Sequence, residues 1–140
     1  MIEANRSMCG AFWLSLTLLL GLLLTSGCQQ EADAADQPFV PGGDPQRGAE
    51  AIQAYGCVSC HTIPGMPEAD ALVGPPLTGW AQRAYIAGAI PNTPENLIVW
   101  LQNPQLIEPG TAMPYMGVTE QDARDMGAYL YTLTDNDRNR

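Results

Sequence analysis

The chain has 140 residues and carries 15 acidic side chains against six arginines, with no lysine and a net charge of −9. This length allows one domain and not two, and the acidity argues against nucleic acid or an anionic lipid surface as a partner. The charge favours a protein partner with a basic docking patch, although acidity that only keeps the protein soluble explains it equally well.

An uncharged apolar segment lies near the N-terminus, from Ala11 to Thr25. A membrane-spanning helix needs about 20 apolar residues, whereas the apolar core of a signal peptide needs about 7 to 15. The segment therefore predicts a signal peptide over residues 1–27, and Cys9 would be removed with it.

The predicted signal peptide ends in small residues directly before Cys28. This pattern resembles a bacterial lipoprotein box, in which the cysteine becomes the lipid-bearing first residue of the mature chain. Residues 28–40 would then be the lipidated cysteine and a flexible acidic tether. The predicted location is the periplasm or the outer face of the cytoplasmic membrane. The alternatives are a plain signal peptide with an incidental cysteine and an uncleaved anchor.

A first helix is predicted from about Pro45 to Tyr55. Asp44 suits the N-cap position and Pro45 the first helical position. Gly56 is expected to end the helix, because glycine readily adopts the left-handed conformation found there.

The motif C-V-S-C-H follows this helix, with Cys57, Cys60 and His61 at its chemical positions. Two thiols at this spacing can each bond to a vinyl group of one haem, and the adjacent histidine then supplies an axial nitrogen to the iron. A zinc site would need four ligands, and His61 is the only histidine. A redox dithiol of the thioredoxin type would sit in a β-α-β unit, which nothing nearby suggests. The motif therefore predicts one covalently bound haem c with its iron.

A second helix is predicted from about Pro94 to Gln102, capped by Thr93. Its apolar residues recur at helical spacing, and the dipeptide Asn103-Pro104 is expected to stop it.

Met113 is the predicted second axial ligand, because a methionine can ligate haem iron where no second histidine exists. It lies 52 positions after His61, in the loop E-P-G-T-A-M-P. Pro and Gly turn this chain segment and stiffen it. The alternatives are that Met116 is the ligand or that Met113 packs in the core. Met66 lies too near His61 in sequence to reach the opposite haem face easily, and Met126 is interpreted as core packing.

A third helix is predicted from about Glu120 to Thr132, with Thr119 at the N-cap and Asp122 in the first turn. Gly127 would allow a neighbouring helix to approach closely. No segment shows sustained strand alternation, so the predicted fold is all-α, with three to five helices and long loops that wrap around one haem.

From about residue 43 to residue 133, five segments in order resemble class I cytochromes c. They are the first helix with C-V-S-C-H, then G-P-P-L, then P-E-N-L-I-V-W-L-Q-N-P, then P-G-T-A-M-P, and last the third helix with A-Y-L. The resemblance implies the class I cytochrome c fold over residues 41–135, followed by a polar tail at 136–140. It also implies that the Pro75 carbonyl contacts His61 and orients it.

Three more residues gain expected roles from this resemblance. Trp100 matches a position against the haem, where its indole N–H could reach a propionate or the ring could simply pack in the core. Gly48 on the first helix would meet Tyr129 on the last. Arg83 is a candidate partner of a propionate by charge, or a solvated side chain.

The segment after Ile86 looks like the cytochrome c domain joined to subunit II of caa3-type oxidases, here as a free-standing lipoprotein. The implied function is electron transfer and not catalysis, with a redox partner such as a membrane oxidase or oxidoreductase complex. An electron-relay subunit of a dehydrogenase complex is the alternative. A gas sensor or small peroxidase would need an open sixth site, against which the placement of Met113 argues.

Overall fold

Four α-helices and one two-stranded sheet make up the regular structure of residues 38–139, the part of the chain that the computed structural model describes. The helices are α1 (Pro45–Ala54), α2 (Pro94–Gln102), α3 (Pro104–Ile107) and α4 (Glu120–Leu130). The strands β1 (Tyr85–Ile86) and β2 (Ile90–Pro91) are antiparallel. The predicted signal peptide, Cys28 and most of the tether lie outside the described residues. None of the helices within 38–139 has the length and apolarity required to cross a membrane.

The three helices predicted from the sequence are confirmed, including their N-caps. The Asp44 side chain accepts hydrogen bonds from the backbone N–H groups of the first turn of α1, and Thr93 and Thr119 do the same for α2 and α4. These bonds satisfy donors that have no partner within a helix. Gly56 follows α1 with a φ of 73° and turns the chain out of the helix.

Two short features were not predicted. Helix α3 begins at the proline that ends α2, and β1 pairs with β2 through two residues on each side. Both are too short to show a hydrophobic period, and prediction from sequence depends on such a period. Helix α4 ends two residues earlier than predicted, at Leu130. The fold is thus mostly helical, as expected, with a small sheet in the long segment between the cysteine motif and α2.

Helices α1 and α4 approach closely at Gly48. A Cβ added there would overlap the carbonyl oxygen of Asp125 and lie 3.0 Å from the backbone nitrogen of Met126. The three atoms nearest to this Cβ belong to the backbone of Asp125 and Met126, and the expected contact between Gly48 and Tyr129 stays a prediction. The Tyr129 hydroxyl donates to the carbonyl of Pro64 at 3.0 Å. Only a residue without a side chain permits this backbone contact.

An ionic contact ties the start of α1 to α4 beside this crossing. The guanidinium of Arg47 donates to both carboxylate oxygens of Asp125, each at 2.9 Å, and the backbone N–H of Asp44 donates to the same carboxylate at 2.7 Å. Gln121 adds a fourth bond at 3.1 Å. The Asp125 carboxylate is buried, and these donors replace the hydrogen bonds that water would otherwise donate to it.

The core lies between α2, α4 and the loops. Helix α2 packs on α4 near Gly127, but a Cβ added there would lie in ordinary contact with a methyl group of Leu97 at 3.5 Å, so this packing does not require glycine. Val40 also packs against Gly127 and is 3% exposed, although the sequence placed it at the end of the tether. The predicted polar tail overlaps a short 3₁₀ helix, Asp135–Asn139.

We expect Asp125→Asn to lower the free energy of unfolding by about 1–3 kcal/mol at pH 7, because it leaves the Arg47 contact without its counter-charge. The pKa of the Asp125 carboxyl is held below its ordinary value, mainly by Arg47 and then by Asp44 and Gln121, against burial. The stabilisation is therefore present above about pH 4 and is lost as the pH falls through the lower folded pKa.

Chemical unfolding of the holo-protein at pH 7 and at pH 3 measures both effects. Glu120→Gln is the matched control on the same helix, because its ion pair with Arg124 is exposed and is expected to contribute about 0–1 kcal/mol. If Asp125→Asn lowers the free energy of unfolding by the same amount at both pH values, this prediction is wrong.

Candidate haem site

The two motif cysteines lie in a tight turn directly after α1. Cys57 begins a 3₁₀ turn, Cys57–Ser59, and its carbonyl accepts hydrogen bonds from the N–H groups of Cys60 at 3.1 Å and His61 at 3.0 Å. Both thiols are free, and burial raises the pKa of Cys57. Within residues 38–139, no group of three or more His, Cys, Asp or Glu side chains is arranged to hold a metal ion.

His61 has one ring nitrogen engaged and one left over. Its Nδ1–H donates to the carbonyl oxygen of Pro75 at 2.7 Å, the contact that the resemblance implied. Such a bond selects the tautomer whose Nε2 carries a lone pair and holds the ring in one orientation. Nε2 is therefore the nitrogen presented for coordination.

Gly74 provides the surface against which the His61 ring lies. A Cβ at this position would overlap Cε1 of His61 and lie 2.7 Å from Nδ1. The segment is held by backbone bonds from Gly74 N–H to Cys60 O at 2.7 Å and from Leu77 N–H to Thr62 O at 2.8 Å. Gly74 is consequently the residue of G-P-P-L that makes room for the imidazole.

A cavity of about 410 Å³ lies beside the cysteine turn. Its lining residues include Cys57, Cys60, His61 and Met113. The remaining wall is largely apolar and includes Ile52, Leu77, Leu97, Trp100, Leu101 and Leu130. The volume and the mostly apolar lining are those of a ligand pocket that opens to the surface beside Val73 and Glu108, both of which are exposed.

Met113 is held in the cavity wall by contacts that the sequence did not predict. Its backbone carbonyl accepts a hydrogen bond from the side-chain amide of Gln105 at 2.6 Å, and its N–H donates to the Thr111 hydroxyl at 3.2 Å. Gln105 lies on α3, whose four residues are too few for a periodic pattern. The short helix thus fixes the loop that presents the thioether.

The other methionines of the described chain occupy different places. Met126 is fully buried in the core and also reaches the cavity wall, whereas Met66 and Met116 do not line the cavity. Met116 is 42% exposed. The choice of Met113 over Met116 stays a prediction that agrees with this placement.

Trp100 and Arg83 both line the cavity, as does Trp80, which the sequence analysis did not single out. Trp100 is 8% exposed and packs in the core cluster. Arg83 donates to the carbonyls of Pro76 and Thr78, and its guanidinium lies 5.1 Å from the centroid of the Trp80 ring. Trp80 follows the turn residue Gly79 in a three-residue 3₁₀ turn. This turn is too short to show a hydrophobic period, so the sequence gives no signal that Trp80 lines the cavity.

These residues fit a covalently attached haem. The thiol pair and an oriented imidazole adjoin a largely apolar cavity, and a second candidate ligand lies in its wall.

Comparison with known proteins agrees with this fit. The sequence model of the cytochrome c family matches residues 45–134. Cytochrome c2 of Rhodopila globiformis is 36% identical over 107 residues, which cover 66% of this chain and 96% of that protein. Cytochrome c of Theileria annulata is 35% identical over 103 residues, covering 65% and 87%.

A second group of relatives consists of larger proteins. Cytochrome c oxidase subunit 2 of Alkalihalophilus pseudofirmus is 34% identical over 88 residues, covering 62% of this chain and 25% of that protein. The chain likewise spans 29% of the same subunit from Bacillus sp.. It therefore corresponds to about a quarter of the length of these oxidase subunits.

We expect Gly74→Ala to lower the yield of haem-bearing protein, because the added methyl group displaces the His61 ring from its bond to Pro75. The measurement is the ratio of covalently bound haem to polypeptide after expression with the haem-attachment machinery. Leu72→Ala is the matched control, since Leu72 is two positions away, is 83% exposed and does not line the cavity. Equal haem content in the two variants would show that Gly74 is not needed to seat the imidazole.

Proposed function

Since this chain belongs to the cytochrome c family and is a haem electron-transfer protein with covalently bound haem c, we propose that it carries single electrons through iron ligated by His61 and Met113. The observation that carries this proposal is the shared cavity, whose wall includes both side chains although they lie 52 positions apart. When bound, the haem supplies a one-electron iron couple. The chain would supply two axial ligands and a largely apolar pocket around the ring.

The composition of the cavity wall supports a carrier and not a catalyst. Glu108 is the one acid among its described lining residues, and it is exposed. His61 is the one imidazole, with Nδ1 already bonded to Pro75. No pair of groups is therefore placed there for general acid–base chemistry.

We expect Met113→Leu to abolish the weak far-red absorption band that an iron–thioether bond gives the oxidised protein. The variant should also bind carbon monoxide in the reduced state, because its sixth coordination site is open. Leucine keeps nearly the same volume, so the fold should persist.

Met116→Leu and Met126→Leu are the matched controls for this spectrum. Both should keep the far-red band, because Met116 does not line the cavity and Met126 packs in the core. Loss of the band in either control with its survival in Met113→Leu would transfer the ligand assignment to that methionine. A wild-type protein that binds carbon monoxide would favour a gas sensor or peroxidase instead.

A terminal oxidase is the partner class that we propose. The relatives named cytochrome c oxidase subunit 2 support it, since in them the matching segment is part of a larger protein. The net charge of −9 supports a basic docking patch on the partner, because opposite charges steer association.

We expect the second-order rate of electron transfer to such an oxidase to fall about tenfold or more between about 10 mM and about 150 mM salt. Screening shortens the reach of the charges from about 30 Å to about 8 Å over this range. Stopped-flow oxidation of the reduced protein measures the rate, with an uncharged redox dye as the control reaction. A rate that is constant or rises with salt would contradict steering by this acidic surface.

We also propose the chain organisation and location that the sequence suggested. Residues 1–27 act as a signal peptide, Cys28 carries lipid, and residues 28–40 tether the haem domain of residues 41–135, with a polar tail at 136–140. This would place the protein in the periplasm or on the outer face of the cytoplasmic membrane. The small residues directly before Cys28 and the uncharged segment before them support this proposal.

We expect Cys28→Ser to move the protein from the membrane fraction to the soluble exported fraction of a bacterial host, because a lipid chain requires the thiol. Metabolic labelling with a fatty acid should label wild type and not the variant. Cys9→Ser is the matched control and should leave both results unchanged. A Cys28→Ser protein that stays in the membrane fraction would favour an uncleaved anchor.

A further inference from the structure

The segment that carries Met113, residues 108–116, is shaped mainly by hydrogen bonds within itself. The N–H of Thr111 donates to the Glu108 carbonyl at 3.0 Å, and the N–H of Gly110 donates to the Glu108 carboxylate at 3.3 Å. The N–H of Met113 donates to the Thr111 hydroxyl at 3.2 Å. These bonds give the loop its form, but they do not attach it to another part of the molecule.

One hydrogen bond joins residues 109–116 to another segment of the described chain. The side-chain amide of Gln105, on α3, donates to the Met113 carbonyl oxygen at 2.6 Å. The bond lies on the residue that carries the candidate thioether ligand and not on a neighbour. A shift of this carbonyl moves the Met113 side chain as well, because the carbonyl carbon is bonded to the Cα that carries the side chain.

The donor is itself anchored in the core. Pro104, the first residue of α3, is fully buried, and the N–H of Asn103 donates to the Val99 carbonyl at 3.0 Å, so α3 continues directly from α2. Gln105 follows Pro104 and is half-buried. Its amide therefore reaches the Met113 carbonyl from a backbone that the core holds in place.

The chain offers no second nitrogen ligand that would replace Met113 on the iron. His61 is the single histidine, and the sequence contains no lysine. When the thioether leaves the iron, the sixth site is therefore open to water or to a small added ligand such as imidazole. The frequency of this opening depends on how firmly the loop of residues 108–116 is held.

We infer that Gln105 is a positioning residue that keeps the Met113 thioether on the iron. Loss of its hydrogen bond frees the loop, so that the thioether leaves more often and small ligands gain access to the sixth site. Gln105 itself does not line the cavity and acts only through Met113. The inference rests on Met113 ligation in the proposed function and is independent of the redox partner.

The test measures how fast the sixth site opens in the oxidised holo-protein. Imidazole binding is followed by stopped-flow spectroscopy at rising imidazole concentration. The observed rate levels off at the rate at which the thioether leaves, because imidazole coordinates only after the site opens. We expect Gln105→Leu to raise this limiting rate by about 2- to 10-fold, as the loss of one hydrogen bond implies.

Two further variants accompany Gln105→Leu. Gln102→Leu is the matched control, since Gln102 is the last residue of α2, is half-buried, does not line the cavity and has no side-chain hydrogen bond within the described chain. It should keep the wild-type limiting rate. Gln105→Glu keeps the side-chain length but replaces the N–H donors by carboxylate oxygens, which repel the Met113 carbonyl. It should raise the limiting rate at least as much as Gln105→Leu.

The outcomes separate this inference from the proposed function. Wild-type limiting rates in both Gln105 variants, with the far-red band present, would overturn the inference and leave Met113 ligation intact. An equal rise in Gln102→Leu would also overturn it, because a general loosening of α2 and α3 would then explain the effect. A wild-type spectrum without the far-red band would refute ligation by Met113 and this inference with it.

Discussion

The close contact between α1 and α4 is the constraint on which the rest of the structure depends. At Gly48 the two helix backbones touch, and any side chain there would overlap the Asp125 carbonyl. The Arg47–Asp125 contact beside it joins residues that are 78 positions apart. Because the cysteine turn follows α1 directly, the position of α1 on α4 also sets the position of Cys57, Cys60 and His61.

The two candidate axial ligands are held by different means. His61 is oriented by a hydrogen bond to Pro75 and by a close fit against Gly74, both within a segment tied to the cysteine turn. Met113 lies on a loop whose backbone is held by Gln105 from α3. The Met113 N–H also donates to the Thr111 hydroxyl, so this loop is held by two side chains.

The small core explains why so much of this chain is loop. About a hundred residues bury relatively little apolar surface by themselves, and the wall of the cavity holds some of the largest apolar side chains present, including Trp80, Leu97 and Trp100. A bound haem would fill this space and convert the loops around it into packed structure.

The sequence by itself determined the three longer helices, the haem motif and the family, because each depends on local chemistry. Caps, helical period and the spacing of C-V-S-C-H are properties of neighbouring residues, and they appear in the amino-acid order. It also directed attention to Met113, Pro75, Arg83 and Trp100 as residues of the site. Only the tertiary structure decided that Gly48 meets the backbone of Asp125 and that Gln105 holds the Met113 loop. The first contact joins residues far apart in the chain, and the second comes from a helix too short to show a periodic pattern, so no local pattern encodes either of them.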